Sequence, residues 1–344
     1  MHKFLGVGVI MKVIEFETAK NIKYFDLMDF VEKIKIDPSV LEHMEETNKS
    51  FDVYFKKLSK FNDKFVLYFL ISLARDEIMN NQSVENHRIR EFDLSKGNLF
   101  FDSLDVDHNR IHSIHKFVMG EDDNPKVGIY RQKPARVSRV FDDREEIYWY
   151  GANPEDINDF MDSLLEFYKS KKPSVIDSNP FIKGSLVHLL LAKIQPYFDG
   201  NRRTARVLQN IKFTEMINDI YDLDLKISPI NLSESIKINI LSYIKSLNNT
   251  KLDINSDNNG IINYWFNVML NMYDEQLFRN SWLIDNMDEH VEKILELKDV
   301  VDPKFVEQVS KLDVGAVKIL EVKRDMDLES REEVEKMKVR KIKK

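Results

Sequence analysis

Gln195-Pro196-Tyr197-Phe198-Asp199-Gly200-Asn201-Arg202-Arg203-Thr204-Ala205-Arg206 is the stretch on which the fold turns. An apolar helical run precedes it, with Leu186, Val187, Leu190, Leu191 and Ile194 at core positions. Pro196 stops that run, because proline has no N–H to give the helix ladder. The chain turns at Asp199-Gly200, and a second helix is expected from about Asn201 to Asn218. Its first turn aims backbone N–H groups and the positive end of the helix dipole into the loop, which makes an anion site. Arg203 and Arg206 lie three apart, share a face and can grip phosphate oxygens in pairs. Asp199 is a hard oxygen ligand placed where a phosphate-bridging Mg²⁺ would sit. Asn201 can bond a phosphate or cap the helix. A plain Asp-Gly turn would leave the arginines unexplained, since basic side chains at a helix start oppose the dipole.

The rest of the chain supports long helices. It has 344 residues, 43% hydrophobic and 32% charged, enough for a sizeable core and roughly two domains. Glycine occurs 10 times and proline 9 times, so a many-stranded sandwich or propeller is excluded on turn supply. There are no cysteines, which removes disulfides, thiolate catalysis and Cys-ligated zinc and fits a reducing, cytoplasmic setting. The net charge of -7 gives no strong nucleic-acid signal. The longest apolar run, Phe65 to Ala74, is too short to span a membrane. Phe4 to Met11 reads as a strand or a leader without a small-residue cleavage site, and Met11 is an alternative start.

Helical periodicity runs from residue 51 to Asn81 through Tyr54, Phe55, Leu58, Phe61, Phe65, Tyr68, Phe69, Leu73 and Ile78. A second helix covers Ile111 to Met119 and stops at Gly120. Asn124-Pro125 marks a turn, and residues 127–150 read as a hairpin or flap. Asn153-Pro154 and Asn179-Pro180 start helices. Others are expected over 232–247 and 261–284. Asp253 to Asp257 resembles an EF-hand start, but Asn258 and Tyr264 stand where glycine and glutamate belong. Asp105, Asp107 and His108 fail similarly. His112 and His115 read as packing residues rather than metal ligands, and His188 as a hydrogen-bonded core histidine.

The quoted motif resembles the signature of the Fic (Fic/DOC, Fido) family, H-[PF]-F-x-[DE]-G-N-[GK]-R-x-x-R. Pro196, Tyr197, Asp199, Gly200, Asn201, Arg203 and Arg206 carry the match. His188, seven residues upstream, Gly128-Ile129-Tyr130-Arg131 and Pro229 to Glu234 agree with it. The resemblance implies a mainly α fold, a Fic-type helical bundle with a small β-hairpin flap. It implies AMP transfer from ATP, with Mg²⁺, to the hydroxyl of a target protein held at the flap, or to the protein itself. Asp199 would hold the metal. Gly200, Asn201, Arg202, Arg203 and Arg206 would line the nucleotide. Asn81 to Asn86 resembles the family's inhibitory element, in which Glu85 would pair with Arg206. The expected division is 1–95 with the inhibitory-type helix, 96–284 as the Fic core and 285–344 as a charged, helical appendage.

Two departures bear on chemistry. The family's general-base histidine is Gln195 here, and an amide cannot take a proton near neutral pH. Loss of a base costs roughly 10²–10⁴ in rate. Arg202 replaces the usual glycine or lysine, and a lysine there marks the Doc branch, which transfers phosphate. Weakened adenylyl transfer, an inactive nucleotide- or protein-binding regulator and a Doc-like phosphotransferase are the three expectations.

Overall fold

A computed structural model describes residues 27–59, 63–84, 105–120, 125–141, 144–250 and 259–285. The leader reading, Asn124, Glu85 and Asn86, the EF-hand look-alike up to Asn258 and the tail beyond residue 285 lie outside them, as do the side chains of Phe61, Phe65 and Tyr68. The helices, in order, are α1 (Leu27–Lys33), α2 (Pro38–Leu58), α3 (Asp63–Val84) and α4 (His108–Met119). A two-stranded hairpin, β1 (Arg136–Phe141) and β2 (Arg144–Tyr150), follows. Then come α5 (Ile157–Lys169), α6 (Val175–Ser178), α7 (Pro180–Ile194), α8 (Asn201–Tyr221), α9 (Leu232–Ile238), α10 (Ile240–Asn249) and α11 (Asn259–Asp285). No helix among the described residues is long and apolar enough to cross a membrane.

α7 is the central rod. Asn179 caps it, its side chain accepting the Ile182 N–H at 3.0 Å, and Pro180 fills the first position, where no N–H is needed. All of its residues are buried, so it is enclosed on every side, its polar groups Lys183, Ser185, His188 and Lys193 included. α8 packs against it in the largest helix pairing among the described residues, and α5 and α11 also pack on it. Phe181 of α7 meets Phe51 of α2, Phe213 of α8 and Tyr273 of α11 at ring distances of 6.0, 5.2 and 4.9 Å. One aromatic cluster thus ties four helices together, with edge-on and tilted geometries that suit ring quadrupoles.

Two expected helices are broken. The periodic run from 51 to 81 divides into α2 and α3, and α2 ends at Ser59, whose hydroxyl bonds the Lys56 carbonyl. The helix expected over 232–247 divides at Asn239. Its side chain donates both to the Ser235 carbonyl and to Glu275 of α11, and its backbone leaves the helical region at φ -100° and ψ 30°. Asn153 opens its helix through a 3₁₀ turn, and its amide donates to Asp156 rather than accepting a cap bond.

The hairpin is antiparallel, with Val137 opposite Trp149 and Ser138 opposite Ile147. Tyr148 is therefore the extra residue of a β-bulge. Gly128 to Arg131 precede the strands as a turn rather than opening the flap as β structure.

Because α7 carries the motif loop at its far end, its cap matters. Asn179→Ala should lower unfolding stability by about 1 kcal/mol, and Asn179→Asp should restore most of it, read from urea midpoints at unchanged slope.

Candidate functional site

The motif loop is a short bridge between two buried helices. Gln195 ends α7 in the left-handed conformation, φ 51°, with its N–H on the Leu191 carbonyl. Gly200 sits at φ 74° at the N-cap position of α8, and brings no side chain to bond the first-turn N–H groups. A Cβ at Gly200 would stand 2.6 Å from the Met119 sulfur, so glycine is required for space as well as conformation. Asn201 closes the loop on itself. Its Oδ1 accepts the Tyr197 N–H at 2.8 Å and its Nδ2 donates to the Tyr197 carbonyl at 2.9 Å. Both ends of this amide are engaged within the loop, so in this conformation it holds the backbone that shapes the anion site.

α4 supports the loop from behind. The Gly128 N–H donates to His115 Nδ1 at 2.9 Å, so the proton is on Nε2, which donates to the Asp199 carbonyl at 2.9 Å. Burial pushes this imidazole down to about 4, which keeps it neutral and able to accept. Its ring stacks on Tyr197 at 3.7 Å, and the Tyr197 hydroxyl lies 2.9 Å from His112 Nδ1. The two histidines are packing residues, and no cluster of three metal-ligating side chains occurs among the described residues.

Asp199 and Arg203 meet at the loop, whereas Arg206 turns into the core. The Asp199 carboxylate is about half exposed, accepts the Gly200 N–H at 2.6 Å and lies 3.3 Å from Arg203 Nη2. A half-exposed carboxylate beside an uncapped helix start suits a Mg²⁺ ion that takes one protein oxygen and keeps waters and phosphates as its other ligands. Arg202 is buried in the same first turn. Arg203 Nη1 donates to Gln82 Oε1 and to the Val118 carbonyl, both at 3.1 Å. Arg206 is 1% exposed. Its Nε donates to Asn81 Oδ1 at 2.6 Å and its Nη2 to the Asn81 carbonyl at 3.1 Å. Asn81 also donates to the Arg203 carbonyl at 3.2 Å. The last turn of α3 therefore holds both motif arginines. Glu85 lies just outside the described residues.

Sequence reasoning missed three partners. Glu77, on α3, is fully buried, accepts the Ser233 N–H at 2.7 Å and faces the Arg206 charge, while burial raises its carboxyl. Arg131 donates through Nε to the Gln195 carbonyl at 2.7 Å and through Nη2 to the Ala152 carbonyl, pinning the hairpin root beside the motif. His188 is the expected core histidine, but it is also a link. Tyr243 joins it at 2.9 Å and lies 3.5 Å from Arg206 Nη1. Only the polar residues left inside apolar runs hinted at these roles.

Parts of this chain are similar to known proteins. Residues 105–211, from the start of α4 into α8, match the model of the Fic/DOC family. A protein adenylyltransferase Fic of Nematostella vectensis is 31% identical over 109 residues, 32% of this chain. The match spans only 22% of that relative's length. A Fic family protein from Desulfovibrio desulfuricans G20 has the same fold, with a TM-score of 0.50 at 14% identity over 71% of this chain and 74% of that one. A Fic domain containing signaling protein from Bacteroides thetaiotaomicron aligns at a TM-score of 0.44 and 20% identity, over 70% of this chain and 95% of that one. The family match takes in the motif loop, so residues 105–211, about a third of the chain, carry a Fic/DOC-type domain.

Proposed function

We propose that this chain binds ATP with Mg²⁺ on a Fic-type adenylyltransferase scaffold, and that Gln195 leaves its transfer of AMP to a protein hydroxyl weak or absent. The observation that carries this reading is the contrast within one loop. The groups that would hold metal and phosphate, Asp199, Gly200 and Arg203, lie together at an uncapped helix start. At the position of the base stands a buried amide.

In such a transfer the target oxygen attacks the α-phosphorus, the bond to the β-phosphate oxygen breaks and pyrophosphate leaves. The hydroxyl proton needs an acceptor, and Gln195 offers only an amide. Asp199 would hold the Mg²⁺, whose chemistry is to neutralise charge on the phosphates. The α8 N-terminus and Arg203 would orient the phosphates. Arg131, bonded to the Gln195 carbonyl, keeps the hairpin root next to the reacting hydroxyl. The target protein, or a second site on this chain, would present that hydroxyl along the hairpin.

The same geometry supports autoinhibition. Asn81 and Gln82 occupy donors of Arg206 and Arg203 that a triphosphate would need. Glu85, one position past α3, would extend this restraint to Arg206.

Calorimetry should detect weak binding of ATP·Mg²⁺ by the full chain. Gln82→Ala removes one hydrogen bond from a charged group, worth about 1.5 kcal/mol, and should tighten binding by up to about tenfold. Glu85→Gly should tighten it too. Absence of heat in all three proteins sinks the nucleotide reading.

Restoring the base should restore chemistry. In the Glu85→Gly background, Gln195→His should raise self-labelling from α-labelled ATP by roughly 10²–10⁴. Equal labelling with Gln195 would refute the base argument, and label arriving only from the γ position would favour Doc-like phosphate transfer.

A further inference from the structure

Lys193 is out of keeping with its surroundings. It lies in the last turn of α7, two residues before Gln195, and is 6% exposed. Its Nζ is buried without a hydrogen-bond partner. Its one contact of note is the face of Trp149 in β2, 3.9 Å from the ring centroid. The Trp149 Nε1 is likewise buried without a partner. A buried, unpaired ammonium is expensive, and a cation–π contact returns only part of the lost solvation. Burial accordingly pushes this amine down to about 7, with no charged neighbour contributing.

Charged groups on the elements around it have partners of their own, and α10, which meets β2, adds only the cation Lys245. On the hairpin, Glu145 is bonded to Arg136 and Ser138. On α5, Asp162 is bonded to His108. On α8, Lys212 pairs with Glu215, Arg203 with Asp199 and Arg206 with Asn81. Arg131, at the hairpin root, is bonded to backbone carbonyls. Nothing among them replaces the solvation that the amine loses when Trp149 covers it.

Besides the contact of β2 with α10, the hairpin has two fastenings of different kinds. Its root is held by neutral backbone acceptors, with Ala152 N–H on the Ile194 carbonyl at 3.0 Å and Gly151 N–H on the Ala135 carbonyl at 2.9 Å. Its body rests on Lys193 through Trp149. The root bonds are indifferent to pH, whereas the second fastening is not.

We propose that Lys193 is a positioning residue that, with Trp149, forms a proton-linked latch: the β1–β2 hairpin seats on the neutral amine and lifts as the amine takes up a proton. The sign follows from linkage. A lifted hairpin returns the amine to water, where it holds its proton up to the usual lysine range near 10.5. Seating therefore releases a proton between about pH 7 and that value. The seated form gains on the lifted form as pH rises through this window, by up to about tenfold per pH unit, and the ratio levels off below pH 7. Proton uptake at this site would loosen the surface along which a target is presented. That consequence rests on the transferase reading, whereas the latch itself needs no nucleotide.

Hydrogen–deuterium exchange of the β1–β2 amides in the full chain tests it, as protection factors corrected for intrinsic rates at pH 6, 7, 8 and 8.5. The wild-type hairpin should gain protection above pH 7, by more than tenfold between pH 7 and 8.5. Lys193→Met should be protected at every pH, and Lys193→Arg, always charged, should stay unprotected. A pH-independent wild-type hairpin, or a Lys193→Met hairpin that keeps the pH dependence, overturns the proposal. As a check that needs no variant to fold, the lysine ¹³Cε resonances should include one titrating near 7. Titration of every lysine above pH 9.5 would overturn it.

Discussion

The two hydrogen bonds between the Asn201 amide and the Tyr197 backbone are the constraint on which the site depends. They convert a loop between two helices into a closed turn of fixed shape. With the turn closed, Gly200 reaches its left-handed conformation, α8 starts without a side-chain cap, and Asp199 is left facing solvent at its mouth. His115 braces the same turn from α4, through the Asp199 carbonyl and a stacked Tyr197 ring. These contacts involve neutral groups, so the loop's shape does not depend on a bound anion.

Charge inside the bundle follows a different logic. Arg206 and Glu77 are both fully buried, and each has hydrogen bonds that offset its lost solvation, to Asn81 and to Ser233. Lys183 is likewise satisfied by Asp177 and Ser170. Removing one member of such a set typically costs 3–5 kcal/mol, because the other is left buried and unpaired. Lys193 breaks the pattern, with an aromatic face in place of an acceptor. It also sits where α7 meets the hairpin, so the motif turn and the hairpin adjoin the same end of one helix.

Much of this was legible in the residues. Asn179-Pro180, Pro196 and Gly120 mark helix ends by local rules, and each lies at an observed boundary. The composition, poor in glycine and proline, pointed correctly to a mainly helical fold. The breaks at Ser59 and Asn239 were not legible, because apolar periodicity continues across them. Asn239, where the helix breaks, bonds Glu275, a residue in another helix. Periodicity records which side chains are buried, and says nothing of a polar group competing for a backbone carbonyl.

The helices, the motif turn and the absence of a base at position 195 are properties of the sequence, because each is settled by residues within a few positions of one another. What holds the arginines is not. Asn81 and Arg206 are 125 residues apart, and Glu77 and Ser233 are 156 apart. Their pairing emerges only when α3 packs beside α8 and α9. A guanidinium has five donors and accepts any well-placed oxygen, so its type announces that it will be paired without naming the partner. Packing makes that choice, and with it decides whether the anion site stands open or is held by the protein's own side chains.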